Sequence, residues 1–348
     1  LNRMKKKVGI AGFGVVGKRR SEFINKRNDM EVVSVCDQTF TGSGTLSSGI
    51  KYFQNYQQLI SDGIDILFVC ISNDMAAEIT IAGLESGLHI FCEKPPSRNL
   101  EELVKVQECE QKYPDLKLKY GFNHRYHLSV RDALEVVKSG KLGRVINLRG
   151  VYGKSQLVTF GKNHDWRTQR KLAGGGILLD QGIHMVDLMR LFGGEFSDIS
   201  SIISNDFWGH DVEDNAYALM STDEGVVAML HSSATQWRHS FSLEVTLETG
   251  MLILAGILSG SKSYGNETLT IVTRTGDDRV NPDEEFREYD IDPSWADEIQ
   301  DFSQAINDNK EIKEGNLADV FKTMKLVYDI YCADVKWKKK WGLANNSS

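Results

Sequence analysis

Asp180 and His184 sit four residues apart behind the run Gly174-Gly175-Gly176. Residues 177–192 have helical periodicity and are followed by Gly193-Gly194. On a helix that spacing puts both side chains on one face, about 40° apart and within reach of one ligand. Histidine titrates near neutrality, so His184 is a candidate general base for an alcohol proton. Asp180 could orient the imidazole or bind a neighbouring hydroxyl, and Asp187, one turn further on, reads as structural. A second group, Glu93-Lys94-Pro95-Pro96, follows a β-rich run at 89–92. Ligands of open α/β sheets bind beyond the carboxyl ends of the strands, which is where Lys94 would project. Its ammonium can hydrogen-bond a substrate oxygen and stabilise charge that develops there. The prolines stiffen the turn, and an X-Pro-Pro sequence is one place where a cis peptide occurs. Each group also has a plainer reading: a locally capping Asp with a satisfied buried His, and a solvated Glu–Lys pair on a loop.

A third pattern, Gly12-Phe13-Gly14-Val15-Val16-Gly17, is weak by itself in a chain with 31 glycines. Its context strengthens it, because it follows a predicted strand and opens a predicted helix. Gly12 can then make the tight turn, Gly14 lets a pyrophosphate approach the backbone, and Gly17 lets helix and strand pack closely. The helix N-terminus offers N–H groups and partial positive charge to the phosphates. Asp37 ends the next strand, where its carboxylate would accept from the ribose hydroxyls and repel a 2′-phosphate. The pattern therefore predicts NAD over NADP, with no arginine at Gln38-Thr39 to reverse the preference. A nucleotide-free turn of the same shape is the alternative.

The elements that must position these groups change character along the chain. Up to about residue 121, β-rich runs (7–11, 31–37, 64–71, 89–93, 117–122) alternate with helical stretches (17–28, 55–59, 76–85, 100–112). That rhythm predicts βαβ units and a parallel sheet. One helix (129–139) follows, and then strand-like stretches at 144–153, 216–222, 226–234, 242–248, 251–255 and 268–273. Turn signals such as Thr222-Asp223-Glu224-Gly225 favour hairpins and an antiparallel sheet. Helices at 294–307 and 316–335 close the chain. The expected organisation is a Rossmann-type domain at 4–122 and an α+β domain with a large open, mostly antiparallel sheet at 123–340.

Composition narrows the function classes. The chain has 348 residues, 41% hydrophobic and 26% charged, with a formal net charge of −7. Such an acidic chain repels phosphate polymers, so nucleic-acid and anionic-membrane binding are not expected. Five cysteines without a Cys-x-x-Cys pair fit neither a disulfide framework nor a thiolate zinc site. No apolar run approaches membrane-span length, and the basic start runs into a glycine-broken stretch without a cleavage pattern. A cytoplasmic protein without a metal is the expectation. Lys336-Trp337-Lys338-Lys339-Lys340-Trp341 reads as the cationic end of a helix. Asp206–Asp214, with His210, Asp211 and Glu213, reads as solvated loop charge before a strand. His164-Asp165-Trp166-Arg167, ahead of the glycine run, is a loop suited to a hydroxylated ligand or an exposed turn.

These pieces, in this order, resemble the glucose–fructose oxidoreductase / inositol dehydrogenase / rhizopine catabolism (Gfo/Idh/MocA) family. The resemblance spans residues 5–335. It rests on Gly12/Gly14/Gly17, Glu93-Lys94-Pro95, Gly121-Phe122-Asn123-His124-Arg125-Tyr126, and Gly174-Gly175-Gly176 with Asp180-x-Gly182-x-His184. It implies Lys94, Asp180 and His184 as the catalytic group, and Ser72, Asn73, Glu93 and Lys94 near NAD. It also implies Arg125, Trp166 and Arg167 along the nicotinamide or substrate region. Where the family often has Pro and His around the third strand's end, this chain has Ser72 and Ala76, which puts a cofactor contact in doubt. The implied activity is NAD-dependent hydride transfer to or from a secondary alcohol or ketone of a sugar, cyclitol or nucleotide-sugar. A homodimer or homotetramer through the C-terminal sheet is implied as well. The alternatives are an NAD-retaining glycosidase of the same architecture and a non-catalytic ligand sensor.

Overall fold

The apolar runs of the first third form the parallel strands expected of them in the computed structural model, which describes residues 5–157, 166–260, 263–276 and 280–343. The chain divides into two compact units, Leu1–Asn123 with Trp295–Lys322 and His124–Ser294 with Thr323–Ser348. A single boundary near residue 122 is therefore corrected: a C-terminal segment belongs to the first unit.

The first unit contains, in order, β1 (Lys6–Ala11), α1 (Val15–Asn25), β2 (Met30–Cys36), β3 (Gly44–Thr45), β4 (Lys51–Phe53) and α2 (Tyr56–Ile60). These are followed by β5 (Ile66–Val69), α3 (Asn73–Glu85), β6 (His89–Glu93), α4 (Leu100–Glu110) and β7 (Leu118–Gly121). Among the described residues the sheet runs β3-β4-β2-β1-β5-β6-β7, and every pair is parallel except the short β3–β4 edge. β5 is buried along its whole length, as a strand covered on both faces must be. Asn55 and Asn99 cap α2 and α4 by accepting from Gln58 N and Glu102 N.

The C-terminal segment joins this unit because helix α8 (Ser294–Asn307) is amphipathic and buries Ile299 and Phe302 against Val8, Ile10, Phe68 and Phe91. Phe302 meets Phe68 and Phe91 edge-on, at 6.1 and 5.5 Å between centroids. One more link is ionic. Arg20 of α1, fully buried, donates from Nε to Glu93 at 2.6 Å and from Nη2 to Glu298 of α8 at 2.7 Å. Its guanidinium lies over the rings of Phe91 and Trp295. Burial disfavours its charge, but Glu93 and Glu298 outweigh burial and keep it protonated.

The second unit begins with α5 (Leu128–Lys138) and β8 (Val145–Gly153), then α6 (Arg170–Ala173) and α7 (Ile183–Gly193). The remaining strands are β9 (Phe196–Ser204), β10 (Asn215–Thr222), β11 (Val227–Ser233), β12 (Ser240–Leu247), β13 (Gly250–Ala255), β14 (Glu267–Thr273) and β15 (Asp283–Tyr289). Among the described residues they form an eight-stranded sheet, β15-β14-β13-β12-β8-β11-β10-β9, antiparallel except at β8–β11. Its two edge strands escape periodicity arguments. β9 is half polar, and β15 reads Asp-Glu-Glu-Phe-Arg-Glu-Tyr, the charged composition that keeps an edge from pairing with another chain. α7 covers one face of the sheet. Gly150 of β8 makes room for it, since a Cβ there would collide with Met185 and Met189. Helices α9 (Leu317–Ala333) and α10 (Val335–Trp341) end the described chain. No helix among the described residues is long and apolar enough to cross a membrane.

Burial pushes the Glu298 carboxyl up to about 7, outweighing the pull of Arg20 and Lys119. The folded chain therefore holds this proton more tightly than the unfolded one, whose carboxyl titrates near 4.5. Stability from this group is complete below the unfolded value and falls as pH rises towards 7, by about 3 kcal/mol in all. Glu298→Gln should remove that slope in urea unfolding curves taken between about pH 5 and 7. A variant with the wild-type slope would assign the pH dependence to another group.

Candidate active site

β1 stops at Ala11 because Gly12 turns the chain with φ of +87°. A Cβ at Gly12 would strike the Cys70 carbonyl, and one at Gly17 would strike the carbonyl of Gly12. Both positions thus need glycine for close approach. Gly14 differs, because a Cβ there meets nothing within 4 Å. It faces open space at the start of α1, where no side chain caps the helix and Val15 is 60% exposed. This is the form of a cradle for an anionic group with an apolar neighbour. Asp37, just past β2, accepts from Phe13 N at 2.8 Å through Oδ2 and from Thr39 N and Oγ1 through Oδ1. The carboxylate therefore also braces the glycine turn, and Oδ2, which accepts one bond where Oδ1 accepts two, retains a lone pair for a ribose hydroxyl. These features fit a dinucleotide. Gly12, Phe13, Gly14, Val15, Val16, Gly17 and Asp37 would hold its phosphates and ribose, while Ser72 and Asn73 begin α3, the helix that follows β5.

Glu93 ends β6, and the Lys94–Pro95 bond that follows is cis. The Glu93 carboxylate is the one held by Arg20, so Lys94 leaves the sheet from an anchored residue. Gly121, the last residue of β7, leaves room for that pair, since a Cβ there would crowd Glu93 Oε2 and Arg20 Nη2.

In the second unit the glycine run has a structural purpose that spacing alone did not disclose. Gly176 N and Leu178 N donate to the buried Glu213 carboxylate at 2.7 and 2.9 Å, and Tyr331 OH donates to it at 2.6 Å. A Cβ on Gly176 would overlap the Glu213 backbone, and one on Gly175 the Tyr331 hydroxyl. Burial raises the Glu213 carboxyl above its ordinary value, against the pull of these donors. Glu213 and Asp214 are both 1% exposed, which corrects the expectation of solvated loop charge for these two, while Asp206 and Asp211 are exposed as expected. Among the described residues no group of His, Cys, Asp and Glu is placed to hold a metal.

The helix carrying the catalytic candidates is not uniformly α. Leu178–Gly182 forms a π-turn before α7, so Asp180 lies on a widened turn rather than in the regular helix expected for 177–192. Such turns are rare and commonly mark functional positions. Lys154 Nζ and Arg167 Nε approach the two Asp180 oxygens at 3.4 and 3.6 Å. Arg167 also lies over the ring of Trp166, 4.2 Å from its centroid. Gln181 donates to Tyr264 OH at 2.9 Å, and Tyr264 packs on Tyr152. His184, 5% exposed, stacks on His124 with centroids 3.7 Å apart.

The structure thus gathers Asp180, Arg167, Trp166 and His184 with three residues sequence reasoning passed over, Lys154, Tyr264 and Tyr152. Those three lie at a strand end, in a loop and within a strand, where no motif marks them. Arg125 pairs with Asp187, three residues beyond His184 on α7. Its Nε donates to Asp187 Oδ2 at 2.7 Å, both side chains are buried, and Thr323 bonds the same carboxylate. It therefore pins α7 from beneath, as the structural reading of Asp187 requires. His164 and Asp165 lie outside the described residues. The basic-aromatic segment at 336–341 is α10, in which Trp337 is buried and Lys340 lies over the rings of Trp337 and Trp341.

Residues 6–122 match the family profile described as "Oxidoreductase family, NAD-binding Rossmann fold", and residues 130–253 match the "GFO/IDH/MocA C-terminal domain". The chain is similar to levoglucosan dehydrogenase of Pseudarthrobacter phenanthrenivorans, 32% identical over 43% of this chain and 38% of that protein. It is also similar to D-glucoside 3-dehydrogenase of Escherichia coli, 30% identical over 52% of each chain. These alignments span about 38% and 52% of the two relatives' lengths. Inositol 2-dehydrogenase of Salmonella typhimurium is 24% identical over 74% of this chain and 76% of its own. A solved structure of levoglucosan dehydrogenase in complex with NADH shares the fold, with a TM-score of 0.81 at 20% identity over 96% of this chain and 98% of that one.

Removing the acceptor beneath the glycine run would leave two backbone N–H groups and a hydroxyl buried without a partner, at about 1–3 kcal/mol each. Glu213→Ala should therefore lower unfolding stability by about 3 kcal/mol or more, and Glu213→Gln by less. A loss below about 1 kcal/mol in denaturant melts would show that the start of this helix does not depend on Glu213.

Proposed function

The chain belongs to the Gfo/Idh/MocA family, and from that premise we propose that it is an NAD(H)-dependent oxidoreductase acting on a secondary alcohol, or the matching ketone, of a sugar, cyclitol or nucleotide-sugar. The observation that carries the reading is the Asp180 carboxylate held by Lys154 and Arg167 on a π-turn directly ahead of the buried His184. Bound NAD supplies the hydride acceptor for alcohol oxidation, and NADH the donor for the reverse reduction. His184 accepts the hydroxyl proton as the C–H bond gives up its hydride, and returns it in reduction. Asp180, flanked by Lys154 and Arg167, accepts from a substrate hydroxyl and fixes the carbon to be oxidised. Lys94 keeps the role its place after β6 suggests, donating to the substrate oxygen as charge develops on it. Trp166 and Arg167 offer a flat cationic surface to a hydroxylated ring, and Arg125 is a positioning residue for α7. The dehydrogenase names of the relatives support the substrate class.

The proposal extends to assembly and setting. The outer face of the second unit's sheet carries Ile202, Tyr217, Leu219 and Met229, which are 69%, 46%, 53% and 54% exposed. Tyr217 pairs with Ile202 and Leu219 with Met229, so these side chains adjoin. An apolar face of this kind suits a second copy of the chain in a homodimer or homotetramer. A cytoplasmic setting is supported by five cysteines of which none is in a disulfide.

Absorbance in the NADH band should rise when the protein and NAD meet one of a panel of sugars, cyclitols and nucleotide-sugars. His184→Ala should lower that turnover by about 10²–10⁴-fold; near-normal turnover would remove His184 from the general-base role. NAD binding without net NADH from any alcohol, or oxidation from any ketone, would favour a retained-cofactor hydrolase or a sensor. Asp37→Ser should weaken NAD and relax discrimination against NADP, and an unchanged preference would show that Asp37 does not read the ribose. Leu219→Lys with Met229→Lys should yield monomers in light scattering, whereas an unaltered oligomer would place the interface elsewhere.

A further inference from the structure

His184 does not stand alone at its end of α7. The His124 ring lies against it with a centroid separation of 3.7 Å and an interplanar angle of 12°, so the two imidazoles are stacked nearly face to face. Both residues are more than nine-tenths buried. His124 Nε2 is 3.0 Å from Tyr152 OH. Burial raises the Tyr152 phenol well above its ordinary value, with smaller contributions from Tyr264 and Asp180, so it is a neutral hydroxyl able to donate. On its remaining sides His124 meets the ring edges of His127 and Phe241, at 5.5 and 6.0 Å. His127 bonds the Glu267 carboxylate at 2.7 Å and has Asp292 at 3.9 Å, so those two charges are directed at His127 rather than at the stacked pair.

Two imidazolium rings at this separation, away from water, repel strongly, because like charge and desolvation both disfavour the second proton. Two sites coupled this closely titrate as a pair and not as individuals. The pair is also asymmetric. With His124 in its Nδ1–H tautomer, Tyr152 OH donates into Nε2 and occupies the lone pair that a second proton on His124 would need; protonation there requires the hydroxyl to turn and accept, whereas protonation of His184 leaves that hydrogen bond as it is.

We propose that His124 and His184 form a coupled pair that holds at most one positive charge, and that Tyr152 directs this charge to His184 by keeping His124 neutral. His124 and Tyr152 are then positioning residues. They fix the plane of the His184 ring and reserve the pair's single proton site for the residue that exchanges a proton with substrate. The inference deepens the general-base reading of His184 and rests on it for its meaning in turnover, while the coupling itself needs no turnover to be seen.

The test is a histidine ring titration of the whole protein by proton–carbon NMR, with resonances assigned from His124→Asn and His184→Asn. In the wild type one ring of the pair, His184, should titrate as pH falls, and His124 should remain neutral. His184→Asn should raise the His124 midpoint by about one pH unit or more. Tyr152→Phe should raise it as well with His184 present, because the lone pair on Nε2 is released. His124 titrating at the same pH with and without His184 would overturn the pairing, and no response to Tyr152→Phe would overturn the role of Tyr152. Circular dichroism of each variant separates these shifts from misfolding, and His124→Gln provides a second variant should His124→Asn fold poorly. Coupled titration together with normal turnover of His184→Ala would sink the general-base reading and leave the pairing intact.

Discussion

One buried guanidinium sets the terms for the first unit. Arg20 is shielded from solvent, so its charge is sustained by Glu93 on one side and Glu298 on the other, between the faces of Phe91 and Trp295. The three ionic partners come from α1, the end of β6 and α8, which are distant in sequence. A buried ion whose partner is removed is strongly destabilised, so these segments are bound to one arrangement. Functional consequences follow from which residues are chosen. α1 begins at the glycine turn suited to phosphates, and Glu93 immediately precedes Lys94. The same contact that completes the core thus fixes the strand end from which Lys94 departs.

The second unit solves its positioning problem in the same way with opposite polarity. Glu213 is a buried anion whose partners are mostly backbone N–H groups, at the point where the glycine run turns into helix. Two unpaired amides at a helix start would be costly inside the unit, and a carboxylate serves both. Further along the helix, Asp187 joins Arg125 and Thr323, so the element is anchored before and after His184. Between the anchors the backbone widens into the π-turn that carries Asp180. Rigid supports around a locally irregular segment allow the irregularity to persist.

Much of this was legible in the residues. The glycine turn, the carboxylate ending β2, the Glu-Lys-Pro turn and the Asp180–His184 pair all carry local signals, because each depends on backbone geometry or chemistry within a few positions. The alternation of strands and helices identified the parallel sheet for the same reason. What escaped were features whose causes are non-local. The edge strands β9 and β15 lack the alternation of a half-buried strand, and α8 shows an apolar face without saying which core it covers. Glu213 looked like loop charge, since its partners are supplied by residues 37 positions upstream and 118 downstream.

The sequence alone therefore determined the two-part organisation, the cofactor class the first part suits and the candidates for chemistry, because these follow from periodicity, turn chemistry and residue type over short spans. Tertiary structure decided which charges are buried and what they hold. Arg125 became an anchor for α7, and Lys154 and Arg167 became the cations on Asp180. His124 became the ring against His184. The physical reason is that a side chain's role depends on its dielectric surroundings and its partners, and only folding brings those partners within a few ångströms.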